Sequence, residues 1–177
     1  MTVEIGGATG TRTSHPLAVV VCGLPGVGKT TVSEAIADRL GADLLRTDVV
    51  RKDLFPDPDY TDEEERRTYA ELLDRGRQRL DRGRNVVLDG TFYDPTYRRR
   101  ALAIADDIDA TVRLVKVECD EDAAKERIRA RTDDESDADI RVYLMFRDLF
   151  EPIDIDHDVV DNSGTFAETD AQIDELL

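Results

Sequence analysis

The sequence predicts an α/β fold in three layers, in which a parallel, doubly wound sheet of about five strands lies between two layers of helices. Two observations carry this prediction. Short apolar runs rich in β-branched residues alternate about five times with segments whose apolar residues have helical spacing. The clearest of these runs are apolar at successive positions, which is typical of strands that a parallel sheet buries on both faces.

Strand and helix patterns alternate twice in the first part of the chain. Residues 17–22 form an apolar run that ends at Gly23, and residues 29–40 carry apolar side chains every three or four positions. A weaker strand is predicted at 43–47. A short helix is predicted at 49–55, where it ends before two prolines.

The middle of the chain predicts a helix, a strand and a second helix. The first helix begins with a capping box, Thr61-Asp-Glu-Glu64, and ends near Gly83. Residues 85–89 form the next apolar strand. The second helix is predicted over 94–108, because an aspartate followed by proline is typical of a helix start.

The last part of the chain completes the alternation. Its predicted elements are a strand at 111–119, helices at 120–131 and 142–149, a strand at 155–161 and a closing helix at 166–177.

Length and composition indicate one domain. A chain of 177 residues forms one core comfortably and two only with crowding. We therefore expect a single domain over 17–177, after a flexible N-terminal tail of residues 1–16, with the acidic segment 132–138 as an exposed loop. No apolar run approaches the ~20 residues of a membrane helix, and the tail lacks the pattern of a secretory signal. Two cysteines exclude a disulfide scaffold, so a cytoplasmic location is expected.

The chain is strongly acidic. Its net charge is −16, with 27 Asp and 13 Glu against 20 Arg and only 4 Lys. Such a surface opposes broad, nonspecific binding to nucleic acid. The combination of acid excess and scarce lysine resembles cytoplasmic proteins of salt-accumulating halophiles. An ordinary acidic cytosolic enzyme is the alternative.

One motif carries specific chemistry. The sequence GLPGVGKT at 23–30 matches the phosphate-binding pattern G-x-x-x-x-G-K-[ST], with a predicted strand before it and a helix after it. Glycines let several N–H groups converge on one phosphate at the helix start. Lys29 is expected at the β- and γ-phosphates and Thr30 at Mg²⁺, and Thr31 is expected to meet the α-phosphate. A glycine-rich turn without a ligand is the alternative. The residues expected to bind the nucleotide, ATP, are Gly23, Leu24, Pro25, Gly26, Val27, Gly28, Lys29, Thr30 and Thr31.

Two further segments follow predicted strands, where the carboxyl ends line the ligand crevice. Asp48 and Arg51 are three residues apart, so on a helix they face the same way. The carboxylate could accept the proton of an acceptor hydroxyl, and the arginine could hold an anion, although Asp48 could instead only cap the helix. Asp89 is expected to bind Mg²⁺ through water and Thr91 to lie at the acceptor; an Asp-Gly turn without a ligand is the alternative.

These segments resemble the small P-loop kinases. This group includes polynucleotide 5′-hydroxyl kinase, adenylylsulfate kinase, gluconate kinase, zeta-toxin-like proteins and predicted AAA-type ATPase-kinases. The matching pieces are GLPGVGKT at 23–30, RTDVVR at 46–51, NVVLDGTF at 85–92, AAKERIRAR at 123–131 and VVDNSGT at 159–165.

The resemblance implies roles for these residues. Asp48 would be the general base and Arg51 a clamp on the substrate or the phosphate. Arg127 and Arg131 would be lid arginines below a lid at about 132–138, although they could instead be solvated arginines of a helix end. Asn162 and Ser163 would border the nucleotide base, unless this segment is an ordinary loop. In the run 98–100, Arg98 is a candidate for binding the acceptor, and the run could instead only balance the acidic surface.

The implied function is ATP-dependent transfer of the γ-phosphoryl group, assisted by Mg²⁺, to a hydroxyl of a small molecule or a nucleic-acid 5′ end. An ATP-driven regulatory switch without a hydroxyl acceptor is the alternative from another class. A toxin-like kinase acting on a sugar nucleotide is compatible with the same motifs. The acceptor stays open among adenylylsulfate, gluconate, a nucleoside, an antibiotic hydroxyl and a nucleic-acid 5′ end.

Overall fold

The computed structural model of the protein describes residues 15–131 and 139–177. The predicted tail lies almost wholly outside these residues, and the predicted lid lies entirely outside them. The strands are β1 (Leu17–Cys22), β2 (Asp43–Arg46), β3 (Val86–Asp89), β4 (Thr111–Glu118) and β5 (Asp158–Asp161). The helices are α1 (Lys29–Leu40), α2 (Thr47–Leu54), α3 (Asp62–Asp81), α4 (Pro95–Leu102), α5 (Glu121–Ala130), α6 (Ile140–Leu149) and α7 (Phe166–Leu176), with one 3₁₀ turn at Ala103–Ala105.

The five strands form one parallel sheet in the order β2-β3-β1-β4-β5. Val20 of β1 lies between Leu88 of β3 and Leu114 of β4, so β1 is the central strand. The chain builds β2 and β3 on one side of β1 and then crosses to β4 and β5 on the other. Ligands of such sheets bind beyond the carboxyl ends of the strands where the order reverses.

Both faces of the sheet are covered by helices, which confirms the three-layer α/β fold. Ala18, Val20 and Cys22 of β1 pack with α3 and α4 on one face. Val19 and Val21 pack with α1 and α7 on the other face. The continuous apolar run of β1 follows from this burial on both sides. Within residues 15–131 and 139–177, no helix has both the length and the apolar composition needed to span a bilayer.

Several predicted boundaries differ from the structure. Thr47 begins α2 instead of ending β2, and the helix predicted to reach residue 108 ends at Leu102 and is followed by the 3₁₀ turn. The strand β5 begins at Asp158, not at residue 155, because its pairing with β4 starts where Val115 meets Asp158. Ile155 precedes that pairing and packs from a loop against the apolar core on the face of the sheet that contains Val20 and Leu114.

Candidate active site

A cavity of about 450 Å³ opens at the carboxyl ends of β1, β2 and β3. It brings together residues that the sequence places in four separate segments. The predicted site residues on its wall are Pro25, Gly26, Lys29, Thr30, Asp48, Arg51, Asp89, Thr91 and Arg131. The wall also includes residues that sequence reasoning missed, namely Tyr60, Glu65, Val142, Met145 and Phe146.

In the loop between β1 and α1, both the backbone conformation and the close packing require glycine at positions 26 and 28. Gly26 and Gly28 have φ of +81° and +89°, a region that other residues rarely adopt. A Cβ at Gly26 would lie 2.8 Å from the carbonyl oxygen of Ala124, and one at Gly28 would overlap Nδ2 of Asn162. The loop is therefore held closely by α5 and by the segment that follows β5.

Lys29, the first residue of α1, turns back along this loop. Its Nζ donates a hydrogen bond to the Leu24 carbonyl oxygen at 2.8 Å. Burial lowers the pKa of Lys29, and the charge of Asp89 opposes that shift. Lys29 lines the cavity together with Pro25 and Gly26, so a phosphate oxygen bound there could replace the carbonyl as its partner.

Thr30 and Asp89 lie together at the ends of α1 and β3. Thr30 Oγ1 donates to Asp89 Oδ2 at 3.3 Å. Burial raises the pKa of Asp89 to about 6, while the Lys29 charge lowers it. A hydroxyl and a carboxylate are oxygen donors of the kind that Mg²⁺ prefers, and a cation beside this buried carboxylate would be favourable. No cluster of three or more metal-ligating side chains occurs in the described ranges. The pair therefore fits an ion that takes its other ligands from water and nucleotide phosphates.

Asp48 lies in the first turn of α2 and is held from two sides. Its Oδ1 accepts from the Val49 N–H at 2.9 Å, and its Oδ2 accepts from Arg46 Nη2 at 2.7 Å. The Asp48 side chain is 24% exposed, so it remains accessible from the cavity. A carboxylate oriented in this way can accept a proton from a hydroxyl that binds in the cavity within hydrogen-bond distance.

Arg51 follows one turn later on α2 and lines the same cavity. Its guanidinium lies over the ring of Tyr60, 5.3 Å from the ring centroid. Tyr60 has a φ of +56°, which is unusual for a bulky residue. The Glu64 carboxylate holds this turn by accepting hydrogen bonds from the N–H groups of Asp59 and Tyr60. No local sequence signal marks Tyr60, because its position depends on this turn.

The two arginines of α5 do not share a location. Arg127 donates to the carbonyl oxygens of Val27 and Asn162, at 3.3 and 2.7 Å, and does not line the cavity. Arg131 lines the cavity. The helix predicted over 120–131 ends one residue earlier than expected, because α5 ends at Ala130 and Arg131 has an extended backbone with ψ of 126°.

Asn162 and Ser163 follow β5 and also lie off the cavity wall. Asn162 Nδ2 donates to the Val27 carbonyl oxygen at 2.8 Å, and its Oδ1 accepts from the Thr169 hydroxyl at 2.8 Å. Ser163 Oγ accepts from the Asp120 N–H and donates to Asp161. These contacts make the segment a brace for the phosphate-binding loop. Thr31 lies on α1 with an exposed side chain, likewise off the wall.

Arg98 does not fit the expectation of a substrate contact. Its side chain is 1% exposed and does not line the cavity. The guanidinium donates to four carbonyl oxygens, those of Phe92, Tyr93, Glu151 and Pro152, at 2.7–3.0 Å. Because the Arg98 side chain is buried, the expectation that it balances charge on the acidic surface is also wrong. Arg98 instead ties the segment after β3 to the segment after α6.

Together, the sheet order, the glycine loop and the Lys29–Thr30–Asp89 arrangement define a P-loop kinase-like domain. Residues 19–153 match the AAA domain family, so the chain belongs to that family.

Known proteins resemble this chain in part. An uncharacterised protein of Mycobacterium tuberculosis is 32% identical in an alignment of 131 residues that covers 67% of this chain and 26% of the relative, so the chain spans about a quarter of that protein. A sugar kinase from Janibacter sp. superposes with a TM-score of 0.70 at 20% identity, covering 92% of each chain. The APS kinase of M. tuberculosis, solved with AMPPNP and APS, superposes with a TM-score of 0.69 at 16% identity, covering 92% of this chain and 95% of that one. Both structures share the fold.

Proposed function

We propose that the protein is a kinase that transfers the γ-phosphoryl group of ATP to a hydroxyl of a small molecule. One observation carries this proposal: a single cavity runs from Lys29 and Thr30 on the phosphate-binding loop to Asp48 and Arg51 on α2. A nucleotide and an acceptor would therefore meet in one cavity. The kinase fold neighbours support the proposal, and one of them was solved with both a nucleotide and APS.

The loop and its neighbours would hold the nucleotide. Lys29 would exchange its bond to the Leu24 carbonyl oxygen for the β- and γ-phosphates. Thr30 and Asp89 would hold Mg²⁺, Asp89 through water. When bound, Mg²⁺ neutralises charge on the β- and γ-phosphate oxygens.

In the transfer step, a bond forms between the acceptor oxygen and the γ-phosphorus, and the bond from that phosphorus to the β–γ bridging oxygen breaks. ADP leaves with the bonding electron pair, and Asp48 takes the proton of the hydroxyl. Arg46 keeps the Asp48 carboxylate in place through their 2.7 Å hydrogen bond. Arg131 and Arg51 contribute positive charge on the cavity wall, where the phosphoryl group would pass.

The first experiment is transfer from γ-labelled ATP, with Mg²⁺ and molar KCl, to a panel of hydroxyl acceptors. Asp48→Asn keeps the size of the side chain and removes the base, so we expect transfer to fall by about 100-fold or more. Asp53→Asn is the matched control, since Asp53 lies on the same helix, points to Arg75 and is half exposed. This variant should transfer at the wild-type rate.

Two outcomes would contradict the proposal. One is release of free phosphate that no acceptor changes and that Asp48→Asn leaves intact, which would indicate an ATPase switch instead. The other is equal loss of transfer in Asp48→Asn and Asp53→Asn, which would show that the loss reflects damage to α2 rather than removal of a base.

A further inference from the structure

The guanidinium of Arg51 lines the candidate active site without a carboxylate partner. Arg51 is half-buried and lies one turn of α2 after Asp48, on the wall of the same cavity. Among residues 15–131 and 139–177, its side chain makes no hydrogen bond and no ion pair, although the chain contains 40 acidic residues. Arg46 on the same wall is paired with Asp48 at 2.7 Å. Arg51 therefore keeps its full charge and its five N–H donors for a group that enters the cavity.

The ring of Tyr60 restrains this guanidinium in place of a carboxylate. The guanidinium carbon lies 5.3 Å from the ring centroid, which is a cation–π contact. The ring is neutral, so it attracts the cation without cancelling its charge. A carboxylate in the same place would cancel that charge and occupy N–H donors, as Asp48 does for Arg46.

A turn fixed by Glu64 presents the Tyr60 ring to the cavity. Tyr60 has a φ of +56°, which is a strained conformation for a bulky residue. The two oxygens of the Glu64 carboxylate hold it by accepting from the Asp59 and Tyr60 N–H groups, at 3.2 and 2.7 Å. The Tyr60 side chain is 53% exposed, so burial in the core does not explain the strain. Backbone strain that the surroundings impose in this way concentrates at functional sites.

We propose that Tyr60 is a positioning residue, which holds Arg51 on the cavity wall through the cation–π contact so that its charge acts on the phosphoryl group during transfer. The guanidinium then stabilises the negative charge of the transfer step without first leaving a carboxylate. This inference rests on the proposed kinase function.

The first test measures kcat, KM and the Kd for ATP with the full-length protein. The acceptor is whichever of adenylylsulfate, gluconate, adenosine, kanamycin and a 5′-hydroxyl oligonucleotide receives label from the wild type. Tyr60→Leu removes the ring, so we expect kcat to fall by about 2- to 5-fold, the factor that an exposed cation–π contact supplies, with the Kd for ATP unchanged. Tyr60→Phe and Tyr60→Trp keep a ring and should recover most of the lost rate.

The chain offers a matched control on the same two helices. Arg67 lies over the ring of Phe55, 4.9 Å from the centroid, and neither residue lines the cavity. Phe55→Leu removes a ring from beneath an arginine in the same way, and it should leave kcat unchanged. A fall in kcat as large as that of Tyr60→Leu would overturn the proposal, because the loss would then come from damage to α2 and α3.

A double-mutant cycle separates positioning from direct contact with the acceptor. In the Arg51→Met background, adding Tyr60→Leu should cause no further fall in kcat, because the ring has lost the group that it holds. An equal fall in both backgrounds, or a loss confined to the KM of the acceptor, would show that Tyr60 itself touches the acceptor. Either result would overturn the proposal and leave the kinase function intact.

NMR provides a readout that does not depend on activity. Protons that lie over the face of an aromatic ring are shifted upfield, so the side-chain signals of Arg51, assigned by their loss in Arg51→Met, report the contact. We expect the upfield shift in the wild type and in Tyr60→Phe, and its loss in Tyr60→Leu. Unchanged Arg51 signals in Tyr60→Leu would overturn the positioning role. Transfer to no acceptor of the panel would instead overturn the proposed function, and this inference with it.

Discussion

Arg98 is a buried cation that joins two segments distant in the chain. Its four carbonyl partners belong to residues 92–93, which follow β3, and to residues 151–152, which follow α6. Its guanidinium also lies over the ring of Phe150, 5.4 Å from the centroid. A guanidinium has five N–H donors in one plane, so it can serve four carbonyls from two directions at once.

We therefore expect Arg98→Lys to lower the free energy of unfolding by about 2–4 kcal/mol, because an ammonium cannot reach all four carbonyls and some stay unpaired. Urea unfolding measures this change. Arg99→Lys is the control, since Arg99 is exposed and pairs with Asp154, and it should cost less than about 1 kcal/mol. Equal unfolding midpoints for the two variants would refute the structural role of Arg98.

The sequence could not predict this role. The partners Glu151 and Pro152 are more than 50 residues away, and they accept through their backbones, which have no residue signature. The run of three arginines suggested a surface or an anion site. Glu65 and Tyr60 escaped prediction for a similar reason, because their positions depend on a cavity that only the folded chain creates.

At the level of the elements, the connection from β5 to α7 supports the phosphate-binding loop. Asn162 is buried and reaches Val27 with its amide nitrogen and Thr169 with its amide oxygen. The loop carbonyl of Val27 also accepts from Arg127, at a longer distance of 3.3 Å. The geometry of the loop thus depends on an element that does not itself line the cavity.

Asn162→Ala should weaken ATP binding by roughly 10-fold, because the main side-chain partner of the Val27 carbonyl is removed. Isothermal titration with ATP and Mg²⁺ measures the change. Thr169→Val is the control: it also removes a buried hydrogen bond to Asn162, but it leaves the bond to Val27 in place. If both variants lose stability but keep the wild-type Kd, the brace has no effect on the nucleotide site.

The elements themselves were largely predictable, because local signals determine them. The apolar run of β1, the glycine loop and the helical spacing of α1 lie in continuous sequence, and their bounds agree with the structure. The end of α5, near Arg127 and Arg131, could not be predicted from local sequence. Their spacing assumes a helix that continues to Arg131, whereas the chain leaves the helix one residue earlier.

On the scale of the whole molecule, the net charge of −16 is the dominant feature. Many acidic residues pair with arginines at the surface, as Asp170 and Asp174 do with Arg39. The remaining excess repels itself in the compact state. Salt reduces this repulsion, since the screening length falls from about 10 Å at 0.1 M to about 3 Å at 1 M.

We expect the melting temperature to rise by roughly 5 °C between 0.1 and 1 M KCl, which corresponds to about 1–2 kcal/mol for a protein of this size. Differential scanning calorimetry in KCl measures the shift, and sucrose at equal osmolality is the control for an effect without ions. A constant or falling melting temperature in KCl would mean that the surface ion pairs, which salt weakens, outweigh the repulsion.

The class of the fold was predictable from the alternation of patterns, but the strand order was not. In this order β3 pairs with β1, and β2 is an edge strand. The order depends on the direction of each crossover connection, and the local sequence does not indicate that direction. The position of the cavity follows from that order. Motifs in the sequence therefore identified the candidate residues, but no motif identified the residues of α6 that line the same cavity.

The close packing around the phosphate-binding glycines has one more consequence. Gly23, Gly26 and Gly28 each rest against a different part of the chain, namely the Val117 carbonyl, α5 and Asn162. Any small shift of β4, α5 or the β5–α7 connection is therefore transmitted to the loop, because the space that would absorb it is absent. Substitutions that change the packing of β4, α5 or the β5–α7 connection should therefore change the nucleotide affinity, even where the substituted residue does not contact the ligand.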